Sequence, residues 1–177
     1  MIAVMISNKI YTKAFSLIEL LLVVTLIAII SLAVQPSWQW MVSKNHAQVY
    51  ANELMMALQF ARATAIKLGE PVMFCCSSDH KECNGLWRNG PIVITTVGKP
   101  RILRVLSPVF AGDTLSWNRD ATITFSPDGF AGGQNMSFYY CPKNSPKNAL
   151  AVILSPSGRA RVSSKPSGGK RIPCNVS

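Results

Sequence analysis

The chain has 177 residues, of which 18 are basic and 8 acidic, so its formal net charge is +10. Hydrophobic residues make up 49% of the chain, a composition that excludes an intrinsically disordered protein and allows one globular core. We find no internal repeat and no long low-complexity tract.

The first element is an apolar stretch from Leu17 to Val34 in which Glu19 is the only charged residue. An ordinary secretory signal places its small cleavage-site residue after the apolar run, whereas here Ala14 precedes it. We therefore predict a leader of residues 1–14 that is cut between Ala14 and Phe15. Because a carboxylate at the bilayer centre costs roughly 2.5–3.5 kcal/mol, we expect Glu19 to pair with the amino group of Phe15 on a neighbouring copy.

The segment Lys13-Ala14-Phe15-Ser16-Leu17-Ile18-Glu19-Leu20 resembles the class III signal of type IV pilins and of the pseudopilins of type II secretion. The resemblance implies that a prepilin peptidase cuts before Phe15 and methylates the new amine, and that Glu19 serves filament assembly. It also implies a single-pass protein of a Gram-negative inner membrane, with a periplasmic globular domain, that later enters an extracellular pilus. Pro36 falls where the helix-breaking proline of this family usually lies. Ala14 departs from the family, in which glycine usually precedes the cut.

A helical pattern continues beyond Pro36 and ends near Leu68. Gly69 and Pro71 form a strong stop signal. We predict one helix from Phe15 to Leu68, roughly 80 Å long, with residues 15–42 as a transmembrane and filament-core segment. The globular domain is expected to comprise residues 43–177 and to include the amphipathic half of the helix. The apolar residues that recur there at spacings of three and four are Ala47, Tyr50, Leu54, Leu58, Ala61, Ala65 and Leu68.

Short strand-like runs follow Pro71 and are separated by turns that contain proline and glycine. The predicted fold class is α+β and pilin-like, with one long N-terminal helix packed on a small antiparallel β-sheet or sandwich domain. The predicted strands are 72–76, 92–97, 102–106, 122–125, 136–141, 149–154 and 160–163.

Five cysteines indicate disulfides, because an exported chain meets an oxidising compartment. Cys141 and Cys174 are the natural pair, and closing their loop of about 30 residues would contribute roughly 3.5–4 kcal/mol in the chain-entropy model. Cys83 is expected to pair with Cys75 or Cys76 and to leave the other as a thiol. The sequence keeps both pairings open, and we take Cys83 with Cys76.

The chain offers no catalytic constellation and no standard metal site. A zinc cluster of Cys75, Cys76, His80 and Cys83 is disfavoured, because the spacing matches no structural zinc pattern. His46 and His80 are the only histidines, and both are interpreted as surface or structural residues. Paired carboxylates, a phosphate loop and a G-x-S-x-G elbow are all missing from the sequence. We therefore expect no enzyme activity, no metal and no other cofactor.

Charge is unevenly distributed along the chain, since all eight acidic residues lie at or before Asp128. This asymmetry suggests an anionic partner, either nucleic acid or anionic lipid. The basic residues after Asp128 are Lys143, Lys147, Arg159, Arg161, Lys165, Lys170 and Arg171.

Three later segments, residues 53–65 leading to 69–72, residues 123–129 and residues 158–162, resemble the FimT/GspH branch of the pilin-like proteins, which implies a minor subunit of low abundance. Gly158-Arg159-Ala160-Arg161 resembles the Gly-Arg-x-Arg motif of FimT-like pilins of naturally transformable bacteria, which implies DNA binding. Residues two apart on a strand share a face, so Arg159 and Arg161 would present two guanidinium forks to phosphates. Lys143, Lys147, Lys165, Lys170 and Arg171 would add to the attraction.

No aromatic residue interleaves the basic residues in the sequence, so phosphate contact without sequence preference is expected rather than base stacking. The expected partners are DNA, other pilin subunits, the inner membrane and the prepilin peptidase. Two other interpretations remain open. One is a structural pseudopilin of a type II secretion system, and the other is a minor pilin that primes assembly without binding DNA.

Overall fold

The computed structural model describes residues 16–77, 83, 92–96, 101–119, 122–133, 135–143, 145–166, 169 and 171–174, with backbone only for 32–37 and 92–96. The chain divides into two compact units, Met1–Trp38 and Gln39–Ser177. Ala14, Phe15, His80 and Lys170 lie outside the described residues, and the predictions made for them stay predictions.

A single helix, α1, extends from Leu17 to Leu68 and ends where the sequence predicts. Gly69 terminates it with a φ of 66°, and its N–H donates to the Ala65 carbonyl at 3.0 Å. Pro36 lies within the helix rather than at its end. Within the described residues, no helix meets the length and apolarity that a membrane span requires. The transmembrane assignment of residues 15–42 stays a prediction.

In the part of the chain that the structure describes, two four-stranded sheets follow the helix, and every pair of neighbouring strands is antiparallel. Sheet A has the order β3-β2-β1-β5, and sheet B has the order β4-β6-β7-β8. A short 3-10 helix, Pro146–Asn148, precedes β7. The strands are β1 Val72–Cys76, β2 Ile92–Thr96, β3 Ile102–Val105, β4 Thr114–Trp117, β5 Ile123–Phe125, β6 Met136–Cys141, β7 Leu150–Leu154 and β8 Ala160–Ser163.

The seven predicted strands are confirmed to within a residue at each end, and β4 is the strand that the sequence analysis did not predict. Thr114–Trp117 has four residues and no fully buried side chain, so its hydrophobic alternation is too short to stand out. Pairing with β6 fixes it in sheet B, with Leu115 opposite Tyr140 and Trp117 opposite Phe138.

The main core lies between the second half of α1 and the two sheets. Leu54 and Leu58 of the helix are at most 1% exposed, and they belong to one buried cluster with side chains of both sheets. Phe74 of sheet A meets Phe138 of sheet B edge to face, with ring centroids 6.3 Å apart. This arrangement confirms the predicted fold class.

The disulfides are Cys75–Cys83 and Cys141–Cys174. The second pair is as predicted, whereas the choice of Cys76 as the partner of Cys83 is wrong. Cys76 lies in the main core on the same face of β1 as Phe74, and it keeps its thiol. Alternation along the strand turns Cys75 to the opposite face, where Cys83 reaches it. The Cys75–Cys83 bond also removes two thiolates from the disfavoured zinc cluster.

Candidate nucleic-acid interface

Two turns of equivalent structure form the centre of the candidate site. Ser126–Gly129 directly follows β5, and Ser155–Gly158 directly follows β7. In each turn the glycine N–H donates to the serine carbonyl, at 2.8 Å for Gly129 and 2.9 Å for Gly158. The serine N–H then donates to the carbonyl of the residue after the glycine, at 2.9 Å in both turns. We call Ser126–Gly129 the first turn and Ser155–Gly158 the second turn.

The two turns contact each other through their backbones. The Ala131 N–H, just after the first turn, donates to the Pro156 carbonyl at 2.9 Å. A Cβ on Gly158 would lie only 2.1 Å from the Gly129 carbonyl oxygen, and the φ of Gly158 is +75°. Only glycine fits both the left-handed conformation and this close approach.

Arg62 of α1 completes the contact between the turns. Its Nε–H donates to the Gly129 carbonyl at 3.0 Å, and a Cβ on Gly158 would lie 3.0 Å from its Cδ and Nε. The helix and the two sheets therefore meet at one point, which holds the second turn in place.

Arg159 and Arg161 follow this anchored turn, and both side chains are exposed. Arg159 lies just before β8, where its N–H donates to the Ser155 Oγ at 3.2 Å. Arg161 lies in β8 opposite Ile153, at the edge of sheet B. His46–Asp113 is the ion pair found among the described residues, so neither arginine is neutralised by an acid there.

Three of the other predicted cations line a cleft of about 570 Å³. Lys147 comes from the 3-10 helix, Lys165 follows β8, and Arg171 belongs to the C-terminal tail that Cys174 ties to Cys141. None of the described residues that line the cleft is acidic. The fold thus gathers cations that are 24 residues apart in the sequence into one basic surface.

Lys143 lies elsewhere, beside a polar cluster centred on Asp113. Asp113 accepts hydrogen bonds from the Lys143 N–H at 2.9 Å and from the Tyr140 hydroxyl, and His46 Nδ1 lies 3.4 Å from it. His46 also stacks on Phe110 at 4.0 Å. Burial, reinforced by the hydrogen bond to Asp113, raises the pKa of Tyr140, which keeps the phenol protonated and donating. His46 is therefore structural, as the sequence analysis interpreted it.

The structure adds two residues that the sequence analysis missed, Arg62 and Phe130. The sequence did contain a signal for Phe130, namely the similarity of the two turn segments. They match at four of seven positions: residues 126–132 are Ser-Pro-Asp-Gly-Phe-Ala-Gly, and residues 155–161 are Ser-Pro-Ser-Gly-Arg-Ala-Arg. Phe130 occupies the position equivalent to Arg159.

The first turn carries an aspartate where the second carries Ser157. The hydrogen bond from the Ser126 hydroxyl, followed by that from the Phe130 N–H, lowers the pKa of the Asp128 carboxyl. In the second turn the hydroxyls of Ser155 and Ser157 lie 2.9 Å apart instead. The turn next to the arginines therefore has no carboxylate of its own.

Comparison with known proteins agrees with this architecture. The family model of the Type II transport protein GspH matches residues 50–158. The type IV minor pilin FimU of Pseudomonas aeruginosa PAO1 is similar in structure, with a TM-score of 0.58 at 20% identity over 73% of this chain and 98% of FimU. A second crystal form of FimU gives 0.51 at 20% identity over 69% and 98%.

A weaker likeness, with a TM-score of 0.48 at 12% identity over 67% of this chain and 96% of that one, is to the minor pseudopilin EpsH of the Type 2 Secretion System of Vibrio cholerae. No curated protein shows a significant sequence match. Because the GspH model covers more than half of the chain, the protein belongs to the GspH family and is a type IV pilin-like protein of the GspH/FimT branch.

Proposed function

We propose that the protein is a minor type IV pilin that binds DNA without sequence preference through Gly158–Arg161 and serves DNA uptake in natural transformation. The observation that carries this proposal is the pair of exposed arginines, Arg159 and Arg161, which follow an anchored turn. No acid neutralises either of them within the described residues.

The anchoring of the turn favours phosphate binding. A guanidinium presents a planar fork of donors that matches two phosphate oxygens, and holding its backbone in advance reduces the entropy lost on binding. Gly158 is fixed by the first turn and by Arg62, so the backbone that leads into both arginines is ordered before DNA arrives.

We propose that the basic cleft binds the same DNA molecule as the arginines. Lys165 follows Arg161 by four residues, so their Cα atoms are at most about 14 Å apart. At about 3.4 Å per base pair along one strand, this distance corresponds to roughly four base pairs. One short duplex can therefore contact the arginines while the cleft residues Lys147, Lys165 and Arg171 attract neighbouring phosphates.

The N-terminal part of the chain is proposed to bring the protein to the filament. The large apolar side chains from Leu17 to Ile30 are exposed in the isolated chain, and Glu19 lies among them. Lipid or the helices of other subunits would cover such a surface. We propose the prepilin peptidase, the inner membrane and neighbouring pilin subunits as successive partners of this segment.

Substitution of both arginines tests the DNA proposal. The full chain, purified in an uncharged detergent, is titrated against duplexes of two unrelated sequences at two salt concentrations. The wild type should bind both in the micromolar range or more weakly, as non-specific phosphate contact does, with roughly 10⁻⁴–10⁻⁶ M typical at physiological salt. Arg159→Gln with Arg161→Gln should abolish most of the binding. It should lower the log–log salt slope by roughly 1.8, because each lost phosphate contact to a duplex removes about 0.9.

Two further double variants sharpen the comparison. Arg159→Lys with Arg161→Lys should recover only part of the affinity, because an ammonium lacks the guanidinium fork. Arg101→Gln with Arg104→Gln removes the same charge beside and within β3, at the edge of sheet A that lies opposite β5, and should cost much less affinity. If the Arg159/Arg161 variant is folded by circular dichroism and binds like the wild type, the DNA proposal is wrong. The structural pseudopilin and the assembly-priming pilin would then remain.

A further inference from the structure

Phe130 is an exposed aromatic side chain on an ordered backbone. Its side chain is 52% exposed, although Ala131 beside it is only 1% exposed and Gly129 is buried. Its N–H donates to the Asp128 carboxylate and its carbonyl accepts from the Ser126 N–H. The ring is therefore presented to solvent from a turn that is fixed on both sides.

The fold places Phe130 beside the proposed phosphate-binding arginines. Its two chain neighbours make the contacts that join the turns, Gly129 against Gly158 and Ala131 to Pro156. The Cα of Phe130 is thus about 3.8 Å from the Cα of each residue that contacts the second turn. Phe130 and Arg159 also occupy equivalent positions in the two turns, although 29 residues separate them in the chain.

An aromatic ring next to guanidinium groups suits an unpaired strand. Bases stack on aromatic side chains with about 1–3 kcal/mol each, and any base can do so because every base has a π face. In a duplex those faces are already covered by neighbouring base pairs, whereas the phosphates of both forms remain available. A ring of this kind therefore adds affinity only where bases are unstacked.

We propose that Phe130 stacks on an unpaired base of single-stranded DNA. The site formed by the two turns would then bind single strands more tightly, relative to duplex DNA, than its positive charges alone would. The inference rests on the proposed function, because Arg159 and Arg161 supply the phosphate contacts that bring a strand to the ring. This proposal replaces the expectation of no base stacking. That expectation considered only aromatic residues close to the arginines in the sequence, whereas Phe130 is brought near them by the fold.

Substitutions of Phe130 test the proposal, with the ratio of duplex Kd to single-strand Kd as the readout. The full chain in uncharged detergent is titrated with a labelled 20-nucleotide strand that lacks internal pairing and with its duplex, at one salt concentration. Phe130→Ala and Phe130→Leu should each weaken single-strand binding by at least about fivefold, the low end of the stacking range. Duplex binding should stay within about twofold, and Phe130→Trp should retain the wild-type ratio.

The control is Phe60→Ala, which removes a 39%-exposed phenylalanine of α1 and should leave the ratio unchanged. Phe130→Leu keeps an apolar side chain, so a loss in that variant is a loss of stacking rather than of hydrophobic contact. An unchanged ratio in both Phe130 variants would overturn the inference, even if the Arg159/Arg161 variant still loses binding and the proposed function stands. Equal weakening of both DNA forms would overturn it as well. If the wild type binds neither form, the proposed function and this inference fail together.

Discussion

Gly158 determines the geometry of the candidate site at the scale of one residue. Its φ of +75° and its approach to the Gly129 carbonyl allow the two turns to touch, and Arg62 closes over the same point. The motif Gly-Arg-x-Arg therefore needs its glycine for packing between the two turns as well as for the turn itself.

Gly158→Ala should destabilise the protein by roughly 2–5 kcal/mol. The left-handed conformation costs an alanine about 1–2 kcal/mol, and overpacking against a backbone oxygen adds about 1–3 kcal/mol. Gly133→Ala is the matched control, because its φ is +73° but a Cβ there meets nothing within 4 Å. Urea unfolding of the full chain in detergent measures both. Equal destabilisation of the two variants would show that the contact between the turns carries no energy.

The sequence could predict only in part which residues pair or contact each other, because such contacts depend on which face of a strand is buried. Cys75 and Cys76 are adjacent cysteines that the sequence alone cannot distinguish. The packing of β1 against the core decides that Cys75 is the one that bonds to Cys83. In the sequence, Arg62 cannot be told from other polar residues of the helix. Its contact is with Gly129, 67 positions further along the chain.

Elements were predicted well where burial is regular. The helix end at Leu68 and the strands around Phe74, Phe138 and Val152 follow from strong apolar patterns with glycine and proline at their borders. The strand β4 was missed because one exposed and three half-buried residues give too few alternations. The order of strands in the two sheets has no signature in the local sequence, because distant partners decide it.

Loss of the Cys141–Cys174 disulfide should affect both stability and binding. The bond closes a separation of 33 residues, so Cys141→Ser with Cys174→Ser should cost roughly 3.5–4 kcal/mol in the chain-entropy model. It should also weaken DNA binding, since Arg171 and Lys165 lose the tether that holds them around the cleft.

The control is Cys75→Ser with Cys83→Ser, which opens a separation of only 8 residues and should cost roughly 2.5 kcal/mol without changing DNA affinity. Thermal unfolding and DNA titration of both variants below their melting temperatures separate the two effects. Unchanged affinity in the Cys141/Cys174 variant would contradict a role for the tether in binding.

At the scale of the whole molecule, the distribution of charge was visible in the sequence but its arrangement was not. Asp128 is the last acidic residue in the chain, and the excess of basic residues after it suggests an anionic partner. The fold then separates the cations after Asp128 into the arginines of the second turn, the cleft, and Lys143 beside Asp113. The sequence also could not show that Phe130 lies between the two residues that contact the second turn, since the two turns meet only in the folded chain.

Processing of the N-terminus is the prediction that concerns the chain as a whole. We expect the mature protein to begin at Phe15, because Ala14 is a small residue that precedes the apolar stretch. Intact-mass analysis of protein extracted from membranes of a strain with a prepilin peptidase checks this. Ala14→Gly should be processed at least as well as the wild type, and Ala14→Leu should accumulate the uncut form. Retention of Met1, or a cut after Val34, would contradict the pilin signal.

The charge on strand β8 affects whether copies of the protein aggregate. The strand lies at the edge of sheet B, where one side of its backbone has no neighbouring strand among the described residues, and Arg161 is the charged residue within it. Charged side chains on an edge strand oppose edge-to-edge pairing between copies. In a filament, where copies are crowded, the same charge would keep neighbouring sheets from fusing into aggregates. Replacing Arg161 with an uncharged residue would remove this protection against edge pairing together with the proposed phosphate contact.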